Sequence, residues 1–126
     1  MYSVCVRDRM FIAHSLKGDV FGPASNLHGA TYVVDAEFFS PQLNEDNVVV
    51  EIGHAGQALR DVLARMNYHC LDDLPEFKGI NTTTECLARY VHDELLRRVS
   101  VKFKGSCKIT LHESDLGSAS YTAPVA

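Results

Sequence analysis

The alternation of side chains that begins at His28 is the strongest structural constraint in this sequence. Residues 28–35 repeat with a period of two, which is the period of a β-strand. A second alternating run covers residues 2–13 and leads directly to His14. If the two strands are neighbours, two imidazoles meet at their ends. In the strand that starts at His28, one face carries His28, Ala30, Tyr32 and Val34, and the other carries Thr31, Val33 and Asp35.

The rest of the chain predicts two helices between two groups of strands. Two or three strands come first, at residues 2–13, 28–39 and 47–52, the third paired back on the second. Apolar residues three and four apart between residues 55 and 66 predict a helix. A second helix begins near residue 81, where Thr82 and Glu85 have the spacing of a capping box. Two short strands follow, at residues 107–113 and 118–121.

This order of elements favours one α+β domain over residues 1–126. An antiparallel four-stranded sheet with two helices packed on one face is the simplest way to bury these apolar stripes. The other face and the edges of such a sheet need cover, which indicates an oligomer.

Composition and charge exclude several classes of partner. The 126-residue chain has a formal net charge of -4 and no basic stripe, which argues against a nucleic-acid partner. No apolar run approaches the ~18 residues of a membrane span, and the start of the chain lacks a secretion signal. The cysteines are widely spaced, so we expect reduced thiols in a cytoplasmic protein: Cys5, Cys70, Cys86 and Cys107.

Six segments, in one order along the chain, carry a family resemblance. They are His14 after an apolar strand, His28-Gly29 with Tyr32, residues 48–53, residues 71–75, residues 82–88, and Glu113 followed by residues 118–121. Together they resemble the 6-pyruvoyltetrahydropterin synthase and 6-carboxytetrahydropterin synthase family. The resemblance implies a T-fold (tunnelling fold) and active sites between the subunits of a homo-oligomer, a hexamer of two stacked trimers. It also implies a lyase that breaks a carbon–oxygen or carbon–carbon bond in a reduced pterin, such as dihydroneopterin triphosphate or dihydroneopterin.

The resemblance places the pterin-binding residues in the C-terminal half of the chain. Glu113 matches the glutamate that accepts hydrogen bonds from the amino group and a ring nitrogen of the pterin. Two charge-assisted bonds to one carboxylate make such recognition selective. Thr83, Thr84 and Glu85 match residues that line the same pocket, and capping of the second helix is an equally weighted explanation for them.

The metal-binding positions match the family only in part. The family holds zinc with three histidines; His14 and His28 match two of them, and Ala30 occupies the third position. Three alternatives follow for zinc: the two histidines bind it with water or substrate, His54 supplies a third imidazole, or the site holds no metal.

The proton-transfer positions are also altered. Ala24 stands where the family has its catalytic cysteine, and Asn67 and Tyr68 stand where it has an Asp–His pair. Tyr68 and His69 are the candidates to replace that pair. A tyrosine needs a cationic neighbour for this role because its ordinary pKa is about 10.

Two functional hypotheses remain. The first is an enzyme of altered chemistry that still acts on a dihydroneopterin-type substrate. The second is a non-catalytic oligomeric protein that binds a pterin or purine-like ring and has lost the zinc and proton-transfer groups.

Overall fold

The computed structural model describes residues 1–99 and 103–125 and contains a sheet with two long helices. The strands are β1 (Tyr2–His14), β2 (His28–Ser40), β3 (His69–Cys70), β4 (Ser106–His112) and β5 (Ser118–Pro124). The helices are α1 (Ile52–Ala64) and α2 (Thr84–Val99). Single turns of 3-10 helix lie at Leu71–Asp73 and Pro75–Phe77, and a longer 3-10 segment, kinked at Gly22, lies at Asp19–Ser25.

The sheet has the order β3-β1-β2-β4-β5. The β1–β2 pair is antiparallel along its whole length, from Tyr2 opposite Ser40 to His14 opposite His28. The β2–β4 and β4–β5 pairs are also antiparallel. The fifth strand, beyond the four predicted, is the two-residue β3, which pairs in parallel with β1 at Ile12 and Ala13.

One face of the sheet and the two helices enclose the core. The even-numbered residues of β1 and β2 point into it, as the alternation predicted, and α1 packs on β1 while α2 packs on β4 and β5. Burial of these apolar side chains is the main driving force for folding. The largest fully buried side chains are Tyr32, Phe38, Met10, Ile12, Leu59, Met66, Leu71, Leu87, Leu95, Ile109, Leu111 and Val34.

The opposite face of the sheet carries an ionic cluster. The Asp35 carboxylate accepts hydrogen bonds from Arg7 Nε at 2.6 Å and Arg7 Nη2 at 2.9 Å. His112 Nε2 lies 2.9 Å from the same carboxylate. The Arg7 hydrogen bond is the main reason that the pKa of Asp35 is lowered, and the hydrogen bond from His112 adds to it. This open face therefore carries charged side chains, whereas the helix-covered face is apolar.

The predicted strand at residues 47–52 is wrong. That segment has no strand structure, and α1 begins at Ile52. The Asn44 side chain accepts hydrogen bonds from the backbone N–H groups of Asp46 and Val48, and Asn47 has a left-handed backbone with φ 65°. An asparagine that caps its own turn in this way competes with strand pairing. Of the valines that follow, Val49 is buried in the core and Val50 packs against it, which explains the apolar run without a strand.

The predicted capping box at the start of α2 is displaced by one residue. Thr83, rather than Thr82, caps the helix: its Oγ1 accepts from Cys86 N at 3.1 Å, and its carbonyl accepts from Leu87 N. Thr82 is buried and bonds to His14 instead. The spacing rule therefore located the helix start, but tertiary contacts determined which threonine serves it.

Two further sequence expectations concern cysteines and membranes. All four cysteines are free thiols. In the described parts of the chain, no helix is both long and apolar enough to cross a bilayer.

An ion pair ties the end of α1 to the segment before α2, and its stability contribution should depend on pH. Glu76 accepts from Arg65 Nε at 2.6 Å and from Arg65 Nη2 at 2.7 Å. The Arg65 bond is the main reason that the pKa of Glu76 falls from 4.5 to about 2. Because the folded-state pKa is lowered, the pair stabilises the fold above about pH 4.5, and this contribution disappears as pH falls towards about 2.

We expect Glu76→Gln to lower the urea midpoint near neutral pH by a small amount, because both side chains are partly exposed. The difference from wild type should shrink as the pH falls through that window. Glu45→Gln, in an exposed loop, is the control. A difference that stays constant with pH would show that the pair does not stabilise the fold.

Candidate functional site

The β1–β2 register brings His14 and His28 together at one end of the sheet. They are directly opposite residues, and their ring centroids are 4.7 Å apart in an edge-to-face arrangement. His14 is only 2% exposed, whereas His28 is half-buried. The juxtaposition predicted from the two alternating runs is therefore present.

Each of these imidazoles is held through its Nδ1 atom. Nδ1 of His28 donates to the Asn26 carbonyl at 2.8 Å, because a carbonyl oxygen can only accept. Nδ1 of His14 lies 2.9 Å from Thr82 Oγ1. The pKa of His14 is lowered, first by burial and then by the charge of His28.

The hydroxyl groups of Tyr32 and Thr84 meet on the face of β2 that also carries His28. Tyr32 lies on the same face of β2 as His28 and is 1% exposed. Its hydroxyl is 3.4 Å from Thr84 Oγ1 at the start of α2. Burial raises the pKa of Tyr32, and the negative charges of Glu113 and Glu85 raise it further.

Glu113 lies just after β4, at the same end of the molecule. Its backbone N–H donates to the Gly117 carbonyl, which closes the β4–β5 turn, and its side chain is exposed. The Glu113 charge acts on His14 as well as on Tyr32. Because His112 pairs with Val33, Glu113 follows β4 at the level of Tyr32. The structure thus brings one predicted pterin-binding carboxylate to the end of the sheet that holds one predicted metal-binding imidazole, although 99 positions separate them in the sequence.

Thr83, Thr84 and Glu85 lie together at the first turn of α2. The Thr83 hydroxyl caps the helix, which is the alternative role that the sequence analysis gave to these three residues. Thr84 and Glu85 face the group of Tyr32 and Glu113. Capping therefore accounts for Thr83, while the other two residues are available to a ligand.

The two predicted proton-transfer residues lie beside β1 on different sides. Tyr68 has a left-handed backbone with φ 62°, is 82% exposed, and contacts the Phe11 ring at a centroid distance of 6.3 Å. Phe11 points to the open face of the sheet. His69 is opposite Ile12, whose side chain points to the same face as His14. Within one chain, His69 therefore lies on the same side of the sheet as the histidine pair, and Tyr68 does not.

Comparisons with known proteins identify the family of this chain. The family model described as 6-pyruvoyl tetrahydropterin synthase matches residues 3–124. The chain belongs to this family. A curated 6-pyruvoyl tetrahydrobiopterin synthase of Dictyostelium discoideum is 30% identical over 78 residues, a match that spans 60% of this chain and 58% of that protein.

The solved structures of the family have the same fold. The Caenorhabditis elegans 6-pyruvoyl tetrahydropterin synthase superimposes with a TM-score of 0.83 at 21% identity, covering 97% of this chain and 95% of the other. The Plasmodium vivax 6-pyruvoyltetrahydropterin synthase gives 0.79 at 15% identity, covering 98% of both chains. The predicted T-fold and the predicted family are both confirmed.

The zinc site implied by 6-pyruvoyl tetrahydropterin synthase membership does not fit the donors of this chain. Ala30 follows His28 on the same face of β2, and a methyl group cannot bind a metal. Within residues 1–99 and 103–125, no group of three His, Cys, Asp or Glu side chains could hold an ion.

His54 is not a third ligand within the chain. It lies in the first turn of α1, beside Glu51 and Arg98 in a cavity of about 430 Å³. The neighbouring cavity includes Tyr2 at the opposite end of β1 from His14. Thirteen residues of strand separate these ends by roughly 40 Å.

Sequence reasoning missed two members of the site. The Thr82–His14 hydrogen bond was hidden because Thr82 matched a capping pattern, and Tyr32 was noted as a strand residue and as part of the family resemblance, without a role in the site. The signal for Tyr32 was its polar hydroxyl on the predicted core face, which needs a partner and finds Thr84. Thr82 was predicted only as a helix cap, and its burial beside His14 had no signal in the sequence.

Proposed function

We propose that this protein binds the ring of a reduced pterin through Glu113 and acts on a dihydroneopterin-type substrate as a carbon–oxygen or carbon–carbon lyase with altered catalytic residues. One observation carries the proposal. Glu113 directly follows His112, which pairs with Val33, so it lies at the level of Tyr32 on the strand that begins at His28, and its charge helps to raise the pKa of Tyr32. A carboxylate beside a buried tyrosine and an imidazole pair is suited to a polar heterocycle with a polar side chain.

The recognition chemistry follows from the hydrogen-bonding groups of the pterin. Its amino group and adjacent ring N–H present two donors on one edge, and an ionised carboxylate accepts two parallel bonds. In this proposal Thr84 and Glu85 line the pocket beside Glu113, and Thr83 contributes mainly by fixing the start of α2. Binding therefore depends on a strand end and a helix start that are far apart in sequence.

Proton transfer is assigned to Tyr68 and His69 as candidates. His69 Nδ1 donates to the Asn67 carbonyl at 2.9 Å, so its Nε2 is the nitrogen that can accept a proton. Its place opposite Ile12 supports His69 over Tyr68 for a site in the same chain. Tyr68 faces the other side of the sheet, where it could serve a site only across a subunit contact.

The alternative is a non-catalytic protein that binds a pterin or purine-like ring. The structure of the Asn67 segment favours this alternative at one point. The Asn67 side-chain oxygen accepts from Phe11 N at 2.9 Å, and Tyr68 N donates to the Phe11 carbonyl. At these two positions the chain fastens a loop to β1 instead of presenting an acid and a histidine.

The proposal includes a homo-oligomer of two stacked trimers. In the single chain, the side chains of the open face are exposed or half-buried, and His28 at the start of β2 is half-buried as well. A hexamer would cover the sheet edges and enclose the pterin.

Incubation of the purified protein with dihydroneopterin triphosphate, and separately with dihydroneopterin, tests the enzymatic hypothesis. We expect formation of 6-pyruvoyltetrahydropterin to be slow or absent, because Ala24, Asn67 and Tyr68 replace the family's proton-transfer groups. Turnover comparable to that of a standard family member would show that this interpretation is wrong. If a different product forms, His69→Gln should reduce its rate and His54→Gln should not; no product at all with intact binding supports the alternative.

A further inference from the structure

We propose that the His14–His28 pair is a metal-free hydrogen-bonding pair that binds the polar side chain of the pterin, in place of the zinc centre that the family implies. The identity of the ligand rests on the proposed function. The statement about zinc does not, since it concerns the donors of this chain alone.

The first argument is the number of donors. A catalytic zinc ion normally has three protein ligands and one open position. The β1–β2 end supplies the two imidazoles, and the residue that would complete a three-histidine set is Ala30. Since most of the affinity comes from ligands that the fold holds in place, two imidazoles are a weak site.

The second argument is that the neighbouring polar groups are already engaged. Asp72 is near enough for its charge to affect His14. Its carboxylate accepts from Ser15 N and, at 2.6 Å, from Ser15 Oγ. Thr82 Oγ1 is bonded to Nδ1 of His14. These bonds direct Asp72 towards Ser15 and Thr82 towards Nδ1 of His14, and among the described residues no third His, Cys, Asp or Glu side chain joins the pair to form a metal-binding group.

The third argument concerns the nitrogens that remain. His28 donates through Nδ1 to Asn26, so Nε2 of the uncharged ring carries a lone pair and accepts a hydrogen bond. For His14, Nε2 keeps some access to solvent, because in the described part of the chain only His92 Nε2 is both buried and without a partner. The pair therefore offers two ring nitrogens to a ligand hydroxyl without a metal between them.

Zinc titration of wild type against Ala30→His tests the statement about the metal. Apo-protein is prepared by dialysis against a chelator, and Zn²⁺ affinity is measured by competition with a chromophoric chelator. Removal of a residue that only hydrogen-bonds to a metal ligand lowers the metal affinity by about 10–100-fold, and a missing direct ligand should cost at least as much. We therefore expect wild type to bind zinc at least ~100-fold more weakly than Ala30→His. Thr31→His, on the opposite face of β2, is the matched control and should not gain affinity.

Two results would overturn the statement about zinc. One is a wild-type protein that keeps one equivalent of zinc through dialysis and loses it in His14→Ala or His28→Ala. The other is a wild-type affinity within an order of magnitude of that of a folded Ala30→His variant. The first result needs no engineered variant to fold, because the wild-type zinc content alone would decide it.

The hydrogen-bonding role is tested with two ligands and metal-free protein. Dihydroneopterin has side-chain hydroxyls, and 7,8-dihydropterin has none. Since one hydrogen bond contributes about 0.5–1.5 kcal/mol net, His28→Ala should weaken dihydroneopterin binding by roughly 2–12-fold and leave 7,8-dihydropterin unchanged. Equal losses for both ligands would contradict the role. If neither ligand binds with or without zinc, the proposed function fails, while the zinc titration still decides the question of the metal.

Discussion

Glu113→Ala should lose most of the affinity for dihydroneopterin, by about 10²–10³-fold, while the oligomer stays intact. The estimate comes from two hydrogen bonds to a charged acceptor, each contributing roughly 1.5–3 kcal/mol, reduced because the side chain is exposed in the single chain. The variant removes the carboxylate to which the proposal assigns both donors of the pterin edge. Isothermal titration calorimetry measures the affinity, and size-exclusion chromatography with light scattering measures the assembly.

Two further variants sharpen this test. Glu113→Gln keeps the shape but replaces one acceptor oxygen with a donor, so it should lose nearly as much affinity as alanine. Asp115→Ala removes a carboxylate from the same β4–β5 turn and should bind normally. Unchanged affinity in Glu113→Ala, or equal losses in Glu113→Ala and Asp115→Ala, would remove the recognition argument.

Phe38→Ala should destabilise the fold by about 3–5 kcal/mol, the usual cost of emptying a buried aromatic position. Phe38 is 0% exposed on the covered face, near the Ser40 end of β2, and its ring meets the Phe103 ring edge to face at a centroid distance of 5.3 Å. The cavity would open between β2 and the segment that leads into β4. Urea unfolding followed by circular dichroism, at one fixed protein concentration, measures the change.

Phe11→Ala is the matched control for this prediction. Phe11 is 47% exposed on the open face, so its removal should cost about 1 kcal/mol or less. Phe38→Leu keeps most of the side-chain volume, so it should lower the free energy of unfolding by less than about 1.5 kcal/mol. A loss in Phe38→Ala no larger than in Phe11→Ala would mean that the helix-covered face is not the core.

Local sequence patterns were informative wherever one interaction dominates. The alternation in β1 and β2 predicted both strands to within a residue and placed the two imidazoles at their common end, because a period of two assigns every side chain to a face. The apolar stripe of α1 was equally clear. Patterns failed where two interactions compete, as at Asn44, whose side chain caps a turn and prevents the valines after it from pairing as a strand.

The sequence by itself determined the sheet, the two helices, the family and the loss of a metal-binding side chain at Ala30, since each depends on residue identity or on local periodicity. Only the tertiary structure decided that Thr83 caps α2 while Thr82 holds His14. It also decided that Glu113 follows β4 at the level of Tyr32, at the end of the sheet that holds His14, and that Tyr68 contacts Phe11 on the open face. The physical reason is that hydrogen bonds and charges between distant segments depend on how the sheet and helices pack. No local pattern encodes that packing.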